Sequence, residues 1–192
     1  MNLRSSLVLI ALALPSNLAF PKQVKSSCPI VEPMENLDFD AISGQWFAQR
    51  SIGTEFVPTG TGCITSDYHF KDGKVLFDFR STSKSGQLEQ ECGNAVPAAN
   101  TTADWTLNFE SGNVGRSVIF STNYVDYVAS YTCEENGDGT LKESGYVLTR
   151  EPEGAQAMIN YVVQMFIDRG VDVTNLVYVR QFDCDYQRPS NC

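Results

Sequence analysis

The chain has 192 residues, a length that suits one domain whose core is large enough to need no cofactor for stability. Its 23 acidic against 14 basic residues leave a formal charge of −9, which argues against nucleic acid and anionic membrane surfaces as partners. Six cysteines with no Cys-x-x-Cys pair, and a single histidine, point to disulfides in an oxidising compartment rather than to a zinc cage.

In chain order, residues 1–20 read as a secretory signal. Arg4 is their only charge, an apolar run from Leu7 to Leu14 ends at Pro15, and cleavage is expected near Ala19 or Phe20. That run is too short to span a membrane, and no second candidate follows. The remaining residues, 21–192, are expected to form a single secreted, extracellular domain with a formal charge of −10. Leu37-Asp38-Phe39-Asp40 leads into Gly44-Gln45-Trp46, where a glycine permits a close turn and an indole two residues later can plug the end of a small barrel.

Runs with period-two alternation then recur, divided by Gly, Asn and Asp. They predict strands over Gln45–Ile52, Cys63–Phe70, Lys74–Ser81, Gln87–Glu91, Asp104–Phe109, Ser117–Thr122, Asp126–Cys133 and Ser144–Thr149. Lys71-Asp72-Gly73 and Asn136-Gly137-Asp138-Gly139 are hairpin signals. Asn100-Thr101-Thr102 is a glycosylation sequon in a turn-like stretch. Eight strands joined by tight turns predict an all-β, antiparallel up-and-down barrel rather than βαβ units.

After the eighth strand the period changes. Met158, Tyr161, Val162, Met165 and Phe166 share one face of a helix, with Pro152 near its start and Gly170 placed for its C-terminal cap. The helix is expected to lay that stripe on the outside of the barrel. A short strand over Leu176–Val179 follows. The cysteines at 28, 63, 92, 133, 184 and 192 allow fifteen pairings.

With Gly44-x-Trp46 opening the first strand, Thr122-Asn123-Tyr124 between the sixth and seventh, and Arg150 ending the eighth, the chain resembles the lipocalins over nearly all of residues 21–192. The resemblance implies that Arg150 stacks on Trp46 and donates to carbonyls at the barrel floor. Asn123 stands where the family usually has aspartate, which loses a charge. Ser27-Cys28-Pro29, Thr61-Gly62-Cys63 and Tyr127-Val128-Ala129-Ser130-Tyr131-Thr132-Cys133 resemble the apolipoprotein D, insect bilin-binding and crustacyanin branch. That likeness implies the pairs Cys28–Cys133 and Cys63–Cys184. Cys92 and Cys192 are then left for each other, with an intermolecular bond as the rival.

Alternation assigns the faces of each strand. Trp46 inward places Ala48 inside. Ser66 and Tyr68 oppose Asp67 and His69, so His69 reads as a solvent-facing surface residue. Val75, Phe77 and Phe79 face in, as do Trp105, Leu107 and Phe109. Val128, Ser130 and Thr132 follow on the seventh strand, and Ser144 and Tyr146 on the eighth. Phe56, in the first loop, is placed to act as part of a lid. The resulting lining is apolar with sparse polar anchors, suited to one small hydrophobic molecule.

The reading is therefore a carrier without covalent chemistry. A chromophore is what the resemblance implies, either a bilin such as biliverdin or a carotenoid, and the carotenoid case brings in a possible homo-oligomer. Lipid, steroid and odorant ligands stay open, as does a protein-binding, regulatory role for the loops. Arg50, Arg116 and Lys142 are candidates by position to meet a bilin's propionates. An enzyme would need a free thiol at Cys92 or a Ser-His-Asp set built on His69. No nucleophile elbow accompanies either, so no catalytic residue is assigned.

Overall fold

A computed structural model describes residues 27–53, 62–186 and 192. Eight antiparallel strands close a barrel: β1 (Gly44–Ile52), β2 (Gly62–Lys71), β3 (Lys74–Thr82), β4 (Leu88–Ala98), β5 (Thr101–Phe109), β6 (Val114–Thr122), β7 (Tyr127–Glu135) and β8 (Leu141–Thr149). Each pairs with its sequence neighbour, and β1 pairs with both β2 and β8. A short helix, α1 (Phe39–Ile42), precedes the barrel; α2 (Gln156–Asp168) and a two-residue strand, β9 (Val177–Tyr178), follow it. The up-and-down barrel expected from the sequence is the fold that forms.

The strands run longer than the sequence reading, most of all β4. It continues through Cys92-Gly93-Asn94 to Ala98, well past the expected end at Glu91. Gly93 is there because the chain passes too close to its neighbours for a side chain: a Cβ would lie 2.2 Å from the Asn108 carbonyl oxygen and 2.5 Å from Phe77 Cζ. Glycine inside a strand here marks close approach rather than a break.

Two apolar clusters hold the molecule together. One fills the barrel, with Trp46, Tyr68, Phe77, Trp105, Leu107 and Leu148 among its members. The other joins the outer wall to α2 through Phe120, Tyr131, Val147, Ile159, Val162 and Phe166. The helix starts at Gln156, four residues after Pro152, and Gly170 follows its cap with φ +76°. Its buried stripe is Ile159, Val162 and Phe166. Tyr161, expected in the stripe, sits at its edge, 56% exposed beside Tyr127. Phe166 meets Phe120 edge-on at 4.9 Å. Burying each such ring contributes roughly 1.5–3 kcal/mol.

Disulfides join Cys28 to Cys133, Cys63 to Cys184 and Cys92 to Cys192, tying both ends of the chain to the barrel wall. Each closes 100 residues or more. In the chain-entropy account, loops of that length contribute about 4–5 kcal/mol apiece.

Candidate ligand cavity and the barrel floor

The floor is built from the three motifs that frame the barrel. Asp38 caps α1 by accepting from the Asp40 and Ala41 N–H groups, each at 3.0 Å. That short helix presents the Ile42 carbonyl to Trp46, whose Nε1–H donates to it at 2.8 Å. Trp46 is fully buried, and the Arg150 guanidinium lies 3.6 Å from its ring centroid. Arg150 donates to the carbonyl oxygens of Ala41 at 3.0 Å, Tyr124 at 3.3 Å and Gln45 at 3.4 Å. Gly44, with φ +95°, leaves the room this requires, since a Cβ there would sit 3.2 Å from Arg150 Nη1.

Asn123 does its work without a charge. Its Oδ1 accepts from the N–H groups of Val125, Asp126 and Tyr127, while its amide donates to Asp126 Oδ2 at 2.8 Å. An aspartate there would lose that last bond and meet a like charge. Thr122 Oγ1 accepts from the Tyr124 N–H and donates to the Tyr127 carbonyl. This holds Tyr124 at φ +65°, a left-handed conformation unusual for a bulky residue.

Above the floor the barrel interior divides. Its lower part is solid: Phe77 stacks on Phe79 at 4.4 Å and meets Phe109 edge-on at 5.1 Å, while Tyr68 packs on Trp105 at 5.4 Å. Ala48, Val75, Phe77, Phe109 and Val128, all expected to line a pocket, point inward as alternation requires but are consumed in this core. Large rings from β2, β3 and β5 meet across so narrow a barrel and leave no space between them. Phe56 lies outside the described residues.

Higher up, a narrow cleft remains, with about 430 Å³ of empty space counting its mouth; only a small part is wide enough to hold a water molecule. Ser66, Tyr68, Phe79, Leu107, Ser130, Ser144 and Tyr146, seven of the expected residues, border it. So do Arg116, Ser117, Tyr131, Thr132 and Leu148. Thr132 is expected to face inward, and Leu148 is legible by parity with Tyr146. Arg116 is expected at the mouth by position, whereas Tyr131 is not legible, because its side chain points outward.

The cleft is two-faced. Tyr68, Phe79 and Leu107 form an apolar wall on β2, β3 and β5, and serine, threonine and tyrosine hydroxyls cluster on β6, β7 and β8. Burial pushes the Tyr68 hydroxyl up to about 12, with Ser66 opposing slightly, and burial raises Tyr146 as well. Both are therefore neutral donors at physiological pH. Tyr146 Oη is buried without a hydrogen-bond partner, and the nearby Ser144 only partly offsets the rise.

The cations expected at the mouth do not converge on it. Arg116 grips Asp104 through two bonds, at 2.8 and 2.7 Å, on the outer wall. Arg50 donates to the Gln49 carbonyl and lies over Tyr178, and Lys142 is exposed on the β7–β8 hairpin. His69 is on the outer surface, its Nε2 3.3 Å from Asp67 Oδ1. Cys92 is in a disulfide and offers no thiol. Asn100 is exposed in the turn between β4 and β5.

An eight-stranded barrel, stoppered by a tryptophan under an arginine and carrying one helix on its wall, is the lipocalin architecture, and the chain has the lipocalin fold. No family model matches it. It is 22% identical over 178 residues to an outer membrane lipoprotein, Blc, of Vibrio cholerae, covering 91% of this chain and 96% of that one. It is 21% identical to the crustacyanin-A1 subunit of Homarus gammarus, over 65% of this chain and 69% of that one. Among solved structures, insecticyanin of the tobacco hornworm Manduca sexta superposes with a TM-score of 0.69 at 19% identity, covering 83% and 87% of the two chains. Lobster apocrustacyanin A1 gives 0.65 at 18%, covering 74% and 78%. No helix among the described residues is long and apolar enough to cross a membrane.

Proposed function

We propose that this chain is a secreted, non-enzymatic carrier of one small hydrophobic molecule, held non-covalently in the upper barrel. The observation that carries the reading is the cleft itself: a partly enclosed space with an apolar wall, a hydroxylated wall and a rigid floor. The space wide enough for water is about 30 Å³, far below the roughly 300–1,000 Å³ typical of ligand pockets, so the walls must part to admit a ligand. The cleft's narrowness suits a flat ring or a thin chain.

Within that class a chromophore is the ligand we favour, on the likeness to the crustacyanins and insecticyanin. Of the two kinds, a carotenoid-type molecule fits better than a bilin. Two propionates need cations, and the one arginine bordering the cleft is already committed to Asp104. The exposed sequon at Asn100 is proposed to carry a glycan, on the face away from the cleft mouth. An absorption spectrum of the protein purified from its natural source, followed by mass spectrometry of the organic extract, tests the reading. A visible band with an extractable polyene supports it. A colourless protein that releases no small molecule and takes none up from a hydrophobic panel overturns it in favour of a protein-binding role for the loops.

A further inference from the structure

The barrel wall parts in two places, and only one is repaired. β1 and β2 pair through Gly44–Phe47 alone. Above that, the C-terminal strap fills the gap. β9 pairs with Arg50 and Ser51, the Cys63 N–H donates to the Arg180 carbonyl, and Gln181 Nε2 donates to both Ala48 and Ile64 carbonyls. The second gap lies between β6 and β7. These pair at Ile119–Ser130, Ser121–Ala129 and Thr122–Val128 and nowhere higher. The N-terminal segment is tied to both sides, by the Cys28–Cys133 disulfide and by the Met34 N–H donated to the Ile119 carbonyl, but forms no ladder with either edge.

The cleft reaches this second gap. Arg116 and Tyr131 both border it, although Arg116 binds Asp104 on the outside and Tyr131 packs against Phe166 of α2. Arg116 and Tyr131 are the chain neighbours of the inward-facing Ser117, Ser130 and Thr132, so the cleft reaches the wall along these two strand edges. The hydroxyls of Ser117, Ser130, Thr132 and Tyr146 gather on the same side, and strand edges without partners add their own polar groups. Tyr146 Oη, buried and unpartnered, is a donor lacking an acceptor. No uncommitted cation borders the cleft among the described residues, so a carboxylate here would be buried without compensation.

Building on the carrier reading, we propose that the bound molecule presents a neutral oxygen, a carbonyl or hydroxyl, to the hydroxyl wall beneath the β6–β7 gap, where Tyr146 Oη donates to it. Molecules ending in a carboxylate are rejected. All-trans-retinol and all-trans-retinoic acid share one skeleton and differ in this end group, so they serve as probes. Titrated against the purified full-length secreted protein at pH 7.5, with tryptophan quenching as the signal, retinol is expected to bind at least tenfold more tightly. Tyr146→Phe should weaken retinol about tenfold, leave retinoic acid unchanged and leave the melting temperature equal or higher. Ser144→Ala, which keeps the ring and its hydroxyl, should retain the preference for retinol. Equal affinities for the two probes, or a preference untouched by Tyr146→Phe, overturn the inference while leaving the carrier reading standing. Failure of the wild-type chain to bind either probe counts against both.

Discussion

Replacing Arg150 with alanine removes the clasp on the barrel floor, and its cost can be worked from the contacts. The guanidinium over Trp46 at 3.6 Å is a partly desolvated cation–π contact, about 1–2 kcal/mol. Its bond to the Ala41 carbonyl at 3.0 Å is charge-assisted and contributes about 1.5 kcal/mol; the two longer ones, at 3.3 and 3.4 Å, add about half that each. The expected loss is on the order of 4 kcal/mol, measured as a fall in urea-unfolding free energy at constant m-value. At about 2–4 °C per kcal/mol the melting temperature should drop by roughly 10 °C. Arg150→Lys should recover only about 1 kcal/mol, since an ammonium neither stacks flat on indole nor reaches three carbonyls at once. In a double-mutant cycle with Trp46→Leu, a coupling of about 1–2 kcal/mol isolates the stack. A loss under 1 kcal/mol, or a lysine variant as stable as wild type, would refute this account of the floor.

Three further outcomes are expected. Asp67 faces Asp78 across β2 and β3, and burial, ahead of the opposing pull of His69, lifts its carboxyl above the ordinary 3.8. An acid whose pKa is raised by folding stabilises the folded state below its unfolded pKa and loses that contribution as pH climbs through the folded value. Asp67→Asn should therefore unfold at higher urea than wild type above about pH 5, and at the same urea near pH 3; the reverse order would contradict the burial argument. Gln181→Ala leaves the Ala48 and Ile64 carbonyls without their donor and should cost roughly 2–4 kcal/mol, read by thermal melting. Finally, Phe77 is packed solid and Phe79 borders the cleft, so Phe77→Asp should prevent folding, whereas Phe79→Ala should fold and bind ligand more weakly. Retained binding in a folded Phe77→Asp protein would show that the lower barrel is not the core described here.

Alternation along the strands, turn residues between them and the change of period after residue 150 were enough to specify the barrel and its outer helix. These signals are local: a side chain's face follows from the parity of its own strand. Hence every inward residue named from the sequence does point inward. Parity carries no information about what stands opposite. Whether Val75, Phe77 and Phe109 wall a pocket or fill it depends on rings from β3 and β5 meeting at 4.4 to 5.1 Å, which is a matter of barrel diameter. The expected end of β4 at Glu91 fell short for a related reason, since only the neighbouring Asn108 and Phe77 reveal why a glycine stands at 93 inside a strand.

Two features were decided by tertiary structure alone. One is the end of β6–β7 pairing above Ile119–Ser130, beside the wall that Ser117, Ser130 and Thr132 give the cleft. The other is the placing of Arg116, expected at the mouth but held on the outer wall by Asp104. The amino-acid order determines which groups a strand can offer to each side. The pairing of distant strands determines which of those groups still need a partner, and at Tyr146 that need is unmet by the protein itself.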